Sequence, residues 1–156
     1  MGLDMYLYKE YYVGGRWAEN RDDVVSFETR HPNGEQTKFS FKIGKLSDVR
    51  TLEMYWRKSN WIHSWFIENC ADGVDDCREV YVYKDDLKKL LDTVHEVITD
   101  HDKAEELLPT KDGFFFGSVK YDEWYFEDLQ QTYDGLKRIL SESENEYVSF
   151  YYRASW

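Results

Sequence analysis

The apolar pattern of residues 87–98 constrains the fold of this chain more than any other feature of its sequence. Apolar side chains recur there at positions i, i+3, i+4, i+7, i+10 and i+11: Leu87, Leu90, Leu91, Val94, Val97 and Ile98. Such a stripe is typical of an amphipathic α-helix that buries one face against a core. We therefore predict a helix that ends near Asp100, and the rest of the chain must supply the surface that covers it.

Several other segments have the two-residue alternation, or the β-branched and aromatic content, of β-strands. They are Leu3–Lys9, Val24–Arg30, Gln36–Ile43, Glu79–Tyr83 and Tyr147–Arg153. Asn33 and Gly34 form a strong turn signal between the second and third of these segments, which predicts a β-hairpin. The apolar run Gly113–Ser118 predicts a short buried strand.

Two more segments have helical periodicity. A long helix is predicted from Ser47 to Asn69, because one face at helical spacing collects these residues: Leu52, Tyr55, Ser59, Ile62 and Phe66. Another helix is predicted to begin at Asp122, with this core-facing stripe: Tyr125, Leu129, Tyr133, Leu136 and Leu140. A short helical turn is predicted around Ala104–Leu108.

Interleaved strands and helices with hairpin signals predict the α+β class. The most economical arrangement is a single antiparallel or mixed sheet of about five or six strands, packed mainly on one face against about three helices. A chain of 156 residues without a Pro- or Gly-rich linker predicts one domain over residues 1–156.

The charge of the chain restricts its partners. A net charge of −11 and a pI of about 4.8 disfavour nucleic acids and anionic membranes, so we expect neither as a partner. Cys70 and Cys77 match neither a zinc pair nor a redox pair, and no leader or membrane span is recognisable. We expect a cytoplasmic protein without a metal or cofactor, and we leave its oligomeric state open, including a homodimer.

The segment Tyr55–Phe66 concentrates tryptophans and cations in an otherwise acidic chain. The candidate ligand-binding residues lie here: Trp56, Arg57, Lys58, Asn60, Trp61 and His63. On a helix, Trp56, Asn60 and His63 would share one stripe. Aromatic rings beside cations suit a planar, phosphorylated ligand, because a ring stacks on the base and a cation faces the phosphate. The alternative is that these tryptophans cover the sheet while Arg57 and Lys58 pair with carboxylates.

The sequence has no recognisable catalytic motif, and no catalytic residue is assigned. His63 is the one histidine in an apolar segment, and either an acid–base role or a semi-buried structural role fits it. The acidic loop of Asp72, Asp75 and Asp76 does not have EF-hand spacing, and turn formation explains its composition.

Several stretches resemble a group of small proteins encoded by tailed bacteriophages and prophages. The matching segments are Met1–Leu7, Tyr55–Asn60 with Ile62, His63, Trp65 and Phe66, the loop residues Gly73, Asp75 and Cys77, Leu107–Thr110 through Gly113–Gly117, and Tyr121–Tyr125 with Asp128 and Leu129. Residues 10–47 match least well. The resemblance implies a phage accessory protein that acts in the cytoplasm of a bacterial host.

Three functional hypotheses follow. The leading one is a non-enzymatic binding protein that counters or modulates a host process, in its sharp form by sequestering a nucleotide-like small molecule. The second is an acidic inhibitor that binds a basic host protein or mimics nucleic acid. The third is a nucleotide-processing enzyme in which His63 works with a carboxylate.

Overall fold

The computed structural model describes residues 2–13, 22–113 and 116–156. In these ranges the strands are β1 (Asp4–Tyr12), β2 (Val24–Arg30), β3 (Gln36–Lys42), β4 (Asp48–Arg57), β5 (Val80–Val82) and β6 (Val148–Ser155). The α-helices there are α1 (Asn60–Cys70), α2 (Lys84–Thr99), α3 (Ala104–Leu107) and α4 (Glu123–Glu142). The contacts divide the chain into two compact units, one of Met1–Lys9 with Thr51–Trp156 and one of Glu10–Arg50.

A four-stranded antiparallel sheet in the order β4-β1-β6-β5 organises the first unit. Its strands β5 and β6 pair with Val80 opposite Tyr152 and Val82 opposite Phe150. The predicted α+β class is confirmed. The described strands are divided between this sheet and a two-stranded sheet formed by β2 and β3.

One face of the four-stranded sheet belongs to the core. Along β1, Met5 and Leu7 are fully buried, whereas the alternating residues Tyr6 and Tyr8 are only partly buried. Successive side chains of a strand point to opposite faces, so this alternation gives the strand one core face and one tyrosine-bearing face.

The apolar stripes of α2 and α4 complete the core as predicted. On α2, four residues of the predicted stripe are fully buried: Leu87, Leu90, Val94 and Val97. On α4, Tyr125, Leu129 and Leu136 are fully buried. The predicted start of α4 is also confirmed, because the Asp122 carboxylate accepts a hydrogen bond from the Tyr125 amide N–H at 3.2 Å.

The predicted helix from Ser47 to Asn69 is wrong. Residues Asp48–Arg57 form β4, and only Asn60–Cys70 is helical. The chain breaks at Lys58, whose φ of 60° lies in the left-handed region. Its amide N–H donates to the Leu3 carbonyl at 2.8 Å, which ties the break to the start of the chain.

This correction also removes the predicted helical stripe of Trp56, Asn60 and His63. Trp56 belongs to β4, while Asn60 and His63 belong to α1. The three residues therefore cannot share one helical face.

The predicted buried strand Gly113–Ser118 is wrong where the structure describes it. Phe116 lies in a turn, and Gly113, Gly117 and Ser118 have no strand assignment. The rest of that prediction, residues 114 and 115, lies outside the described residues.

The second unit contains the predicted hairpin. Strands β2 and β3 pair antiparallel with Phe27 opposite Phe39, which confirms the hairpin. Gly34 lies in the connecting turn with a φ of +88°, a conformation that glycine adopts readily.

Candidate functional site

A cleft of about 310 Å³ opens beside the junction between β4 and α1. Its lining residues are Arg57, Lys58, Trp61, Ser118, Trp124, Glu127, Asp128 and Gln131. All of them belong to the first unit. We call this the Asp128 cleft, after the carboxylate whose environment is the most unusual of the set.

Helical geometry places the α4 residues of the cleft on one face. Trp124, Glu127, Asp128 and Gln131 occupy positions i, i+3, i+4 and i+7, which lie side by side on an α-helix. Across the cleft, the end of β4 contributes Arg57, the connection that follows contributes Lys58, and the first turn of α1 contributes Trp61. The site thus joins segments that are more than 60 residues apart in sequence.

The Asp128 carboxylate is held by two donors on one oxygen. Its Oδ2 atom accepts a hydrogen bond from the Trp61 indole N–H at 3.0 Å and another from the Ser59 hydroxyl. Within the described ranges, no donor reaches the other oxygen, Oδ1. Burial raises the pKa of Asp128 above its ordinary value, and the hydrogen bonds from Ser59 and Trp61 oppose that effect.

The two tryptophans of the cleft differ in exposure. Trp124 is 77% exposed, so its ring is open to solvent beside the cleft. Trp61 is 7% exposed and packs against Tyr125 with a centroid distance of 4.6 Å. Trp124 is therefore available for stacking, whereas Trp61 serves as a fixed wall that also orients Asp128.

Arg57 and Lys58 give one side of the cleft a positive charge. Both residues are exposed, and the Arg57 Nε atom lies 4.0 Å from the Asp4 carboxylate. The backbone of Lys58 is fixed by close packing, since a Cβ atom at Gly117 would come within 2.8 Å of the Lys58 Cβ. Gly117 also has a φ of +93°, so glycine is required there on both counts.

Asn60 does not line the cleft but holds a neighbouring loop in place through hydrogen bonds. Its amide group donates to the carbonyls of Phe116 at 3.0 Å and Ser118 at 2.9 Å, and its oxygen accepts from the Lys111 amide N–H at 2.7 Å. The side chain is fully buried. Asn60 thus holds the loop that carries Ser118 into the cleft.

Trp56 is buried in the core rather than exposed in the cleft. Its indole N–H donates to the Thr132 hydroxyl at 2.8 Å, and its ring packs against Phe66 at 6.0 Å. This agrees with the alternative interpretation for this residue, in which tryptophan covers the sheet.

His63 lies in a separate polar network with Asp75, Tyr152 and Trp156, which we call the His63 network. The Tyr152 hydroxyl lies 2.8 Å from Nδ1 of His63, and Asp75 Oδ2 lies 3.0 Å from Nε2. The other oxygen of Asp75 accepts from the Trp156 indole N–H at 3.1 Å. Because a carboxylate accepts, Nε2 of His63 donates to Asp75. In the neutral ring Nδ1 then carries the lone pair and accepts from the Tyr152 hydroxyl.

Burial lowers the pKa of His63 below its ordinary value, against the opposing effect of the Asp75 carboxylate. The ring is 1% exposed and both of its nitrogens have partners. His63 is thus a buried, hydrogen-bonded core residue whose lowered pKa favours the neutral ring, and it does not line the Asp128 cleft.

The structure brings three of the six sequence-derived candidates into one cleft. Arg57, Lys58 and Trp61 line it, whereas Trp56, Asn60 and His63 are buried elsewhere. Sequence reasoning missed Trp124 and Asp128. The signal that could have revealed them is their i, i+4 spacing on the polar side of a helix whose apolar stripe was correctly identified.

A second surface depression has a different character. It is lined by residues that include Arg78, Tyr81 and Tyr83. The Arg78 guanidinium is already engaged, since it donates to the Ala71 carbonyl at 3.2 Å and lies 3.6 Å from the Asp76 carboxylate. This leaves the Asp128 cleft as the stronger candidate.

The described ranges support neither a metal site nor a reactive thiol at Cys70. No group of three or more His, Cys, Asp or Glu side chains is arranged there to hold a metal ion. Burial raises the pKa of the Cys70 thiol to about 12, which keeps it protonated and unreactive.

None of the helices in the described ranges combines the length and apolar character that a membrane crossing requires.

Comparisons with protein-family models, with curated proteins and with solved structures found no match to this chain.

Proposed function

We propose that this chain is a non-enzymatic binding protein that captures a nucleotide-like small molecule in the Asp128 cleft. The observation that carries the proposal is the convergence of three kinds of group around one cleft. They are an exposed ring at Trp124, the cations Arg57 and Lys58, and the partly buried carboxylate of Asp128. A nucleotide has a complementary group for each. Its base can stack on Trp124 and donate a hydrogen bond to Asp128, and its phosphate can pair with Arg57 and Lys58.

The size of the cleft supports a small ligand. Its volume of about 310 Å³ is at the lower end of small-molecule pockets, which span roughly 300–1,000 Å³. Stacking of a base on an exposed aromatic ring stabilises binding by about 1–3 kcal/mol. The two cations at the rim compensate locally for the net charge of −11, which would otherwise repel a phosphate.

The resemblance to phage-encoded proteins supports a role in the bacterial host. A phage accessory protein that holds a nucleotide lowers its free concentration, and this can counter or modulate a host process without catalysis. We propose this role for the chain, with the host cytoplasm as its location.

Isothermal titration calorimetry with mononucleotides tests the proposal. We expect AMP, GMP, CMP, UMP and IMP to include at least one ligand that binds, and Trp124→Ala to weaken its binding by about tenfold through lost stacking. Tyr147→Ala is the matched control, because Tyr147 is a fully exposed aromatic residue that does not line the cleft.

Absence of binding for every mononucleotide would contradict the proposal. Binding that Trp124→Ala leaves unchanged would place the ligand somewhere other than this cleft. A basic bacterial protein captured at low salt and lost at high salt would instead favour the acidic-inhibitor hypothesis.

A further inference from the structure

The geometry of Asp128 narrows the kind of base that fits the cleft. Its Oδ2 atom already accepts from Trp61 and Ser59, and an indole N–H can only donate. Burial raises the pKa of Asp128, and the two donors on Oδ2 oppose that shift because they stabilise the carboxylate in its charged form. In its charged form the carboxylate offers its remaining capacity, at Oδ1, as a hydrogen-bond acceptor.

We infer that the Asp128 cleft selects nucleotides whose base carries a ring N–H, namely guanine, hypoxanthine, uracil or thymine, over those whose ring nitrogen is an acceptor, namely adenine and cytosine. The inference rests on the proposed function and specifies the ligand of that same cleft. A ring N–H donates to Oδ1 of Asp128. A ring nitrogen with a lone pair at that position meets another acceptor, and neither atom gains a hydrogen bond.

The surroundings of Asp128 make this discrimination effective. The carboxylate is partly buried between α4 and the start of α1, and a base that sits in the cleft would cover Oδ1 and exclude water from it. Its position is fixed by the Trp61 indole, which is itself packed against Tyr125. A bound base that covers Oδ1 without donating to it leaves a desolvated acceptor unpaired, which costs about 1–3 kcal/mol and corresponds to a preference of about 5- to 150-fold.

IMP and AMP form a matched pair of ligands for the test. They share ribose and phosphate and differ only at the edge of the purine, where IMP has a ring N–H and AMP has an acceptor nitrogen and an amino group. Calorimetry on the full chain is expected to give a Kd for IMP at least tenfold lower than the Kd for AMP.

Asp128→Asn is the informative variant. The amide oxygen of asparagine can still accept from Trp61 and Ser59, and its NH₂ group takes the place of Oδ1. We expect this variant to lose the preference for IMP or to prefer AMP. Asp134→Asn is the control, because it makes the same chemical change at an exposed residue of α4 that does not line the cleft, and it should keep the preference.

The outcomes separate this inference from the proposed function. If IMP and AMP bind equally to the unmodified chain, the inference is wrong while nucleotide binding stands. If neither these nor any other mononucleotide binds, both are wrong. If Asp128→Asn fails to fold, as judged by its thermal unfolding, the comparison of IMP with AMP on the unmodified chain still decides.

Discussion

The Asp128 cleft and the His63 network both depend on α1, yet they use their polar groups in opposite ways. Trp61 faces the cleft, and His63, two residues later, faces the network on another side of the helix. In the network, both nitrogens of His63 and both oxygens of Asp75 have partners. In the cleft, one oxygen of Asp128 has none within the described ranges.

This difference shows how to distinguish a structural polar group from a candidate binding group. A buried polar group with all of its hydrogen bonds formed stabilises and specifies the fold. A partly buried acceptor without a partner can still accept a hydrogen bond from a ligand. The exposed ring and the two cations beside it can bind other parts of the same ligand. The predictions that follow test this distinction, beginning with the largest expected effect.

Removal of the His63 ring should strongly destabilise the fold. His63→Ala leaves a cavity and removes the partner of the buried Tyr152 hydroxyl, so we expect a loss of about 3 kcal/mol in the free energy of unfolding. Urea denaturation measures it. The exposed His95 is the control, and His95→Ala should change stability by less than about 0.5 kcal/mol. A similar small change for His63→Ala would show that the network is not structural.

Removal of the Asn60 side chain should affect both stability and the cleft. Asn60→Ala leaves two backbone carbonyls and one N–H without their partner, which should cost about 2 kcal/mol of stability. Because Asn60 holds the loop that carries Ser118, nucleotide binding should weaken as well. Asn145→Ala, at an exposed turn, should change neither property. Unchanged nucleotide binding in Asn60→Ala would show that the loop carrying Ser118 does not contribute to the binding site.

Acid should destabilise the fold through His63. Its folded-state pKa is lowered, so the unfolded chain takes up a proton more readily as the pH falls below the ordinary value of 6.5. This contribution should reduce the free energy of unfolding by up to about 1.4 kcal/mol for each pH unit, until the folded form also protonates. Stability curves measured from pH 7.5 to pH 5 should have a smaller slope for His63→Ala. An equal slope in both proteins would mean that His63 does not titrate differently on unfolding.

Loss of a cation should have the smallest effect. Arg57 is exposed and already near Asp4, so we expect Arg57→Ala to weaken nucleotide binding by about threefold to fivefold and to leave stability unchanged. Added salt should reduce the difference. Binding of the corresponding nucleoside, which lacks the phosphate, is the control and should not respond to the substitution. An equal loss for nucleoside and nucleotide would place Arg57 away from the phosphate.

Local periodicity was sufficient to predict α2, α4 and the hairpin. In each case the pattern and the tertiary environment agree, as at Leu87 and Leu90, where the predicted stripe is fully buried. The segment Asp48–Arg57 was misassigned because its residues fit both a helical and an alternating pattern. Pairing with β1, which ends more than 35 residues earlier in the chain, decides in favour of a strand, and no short pattern contains that information.

The candidate site was predictable only in part for a related reason. Arg57, Lys58 and Trp61 were found because they are close in sequence, whereas Trp124 and Asp128 come from α4. The left-handed backbone at Lys58 is what turns the chain from β4 into α1 and brings these segments together. No glycine or proline marks that turn in the sequence, so the break could not be recognised there.

The distinction between an open cleft and a closed network can be measured at the tryptophan indoles. The Trp61 indole N–H bonds to Asp128, and the Trp156 indole N–H bonds to Asp75. Two-dimensional ¹H–¹⁵N spectra recorded during a titration with GMP should show the indole signals of Trp61 and Trp124 moving together while that of Trp156 stays in place. Movement of the Trp156 signal with those of Trp61 and Trp124 unchanged would contradict the account, and so would a spectrum in which no indole signal moves.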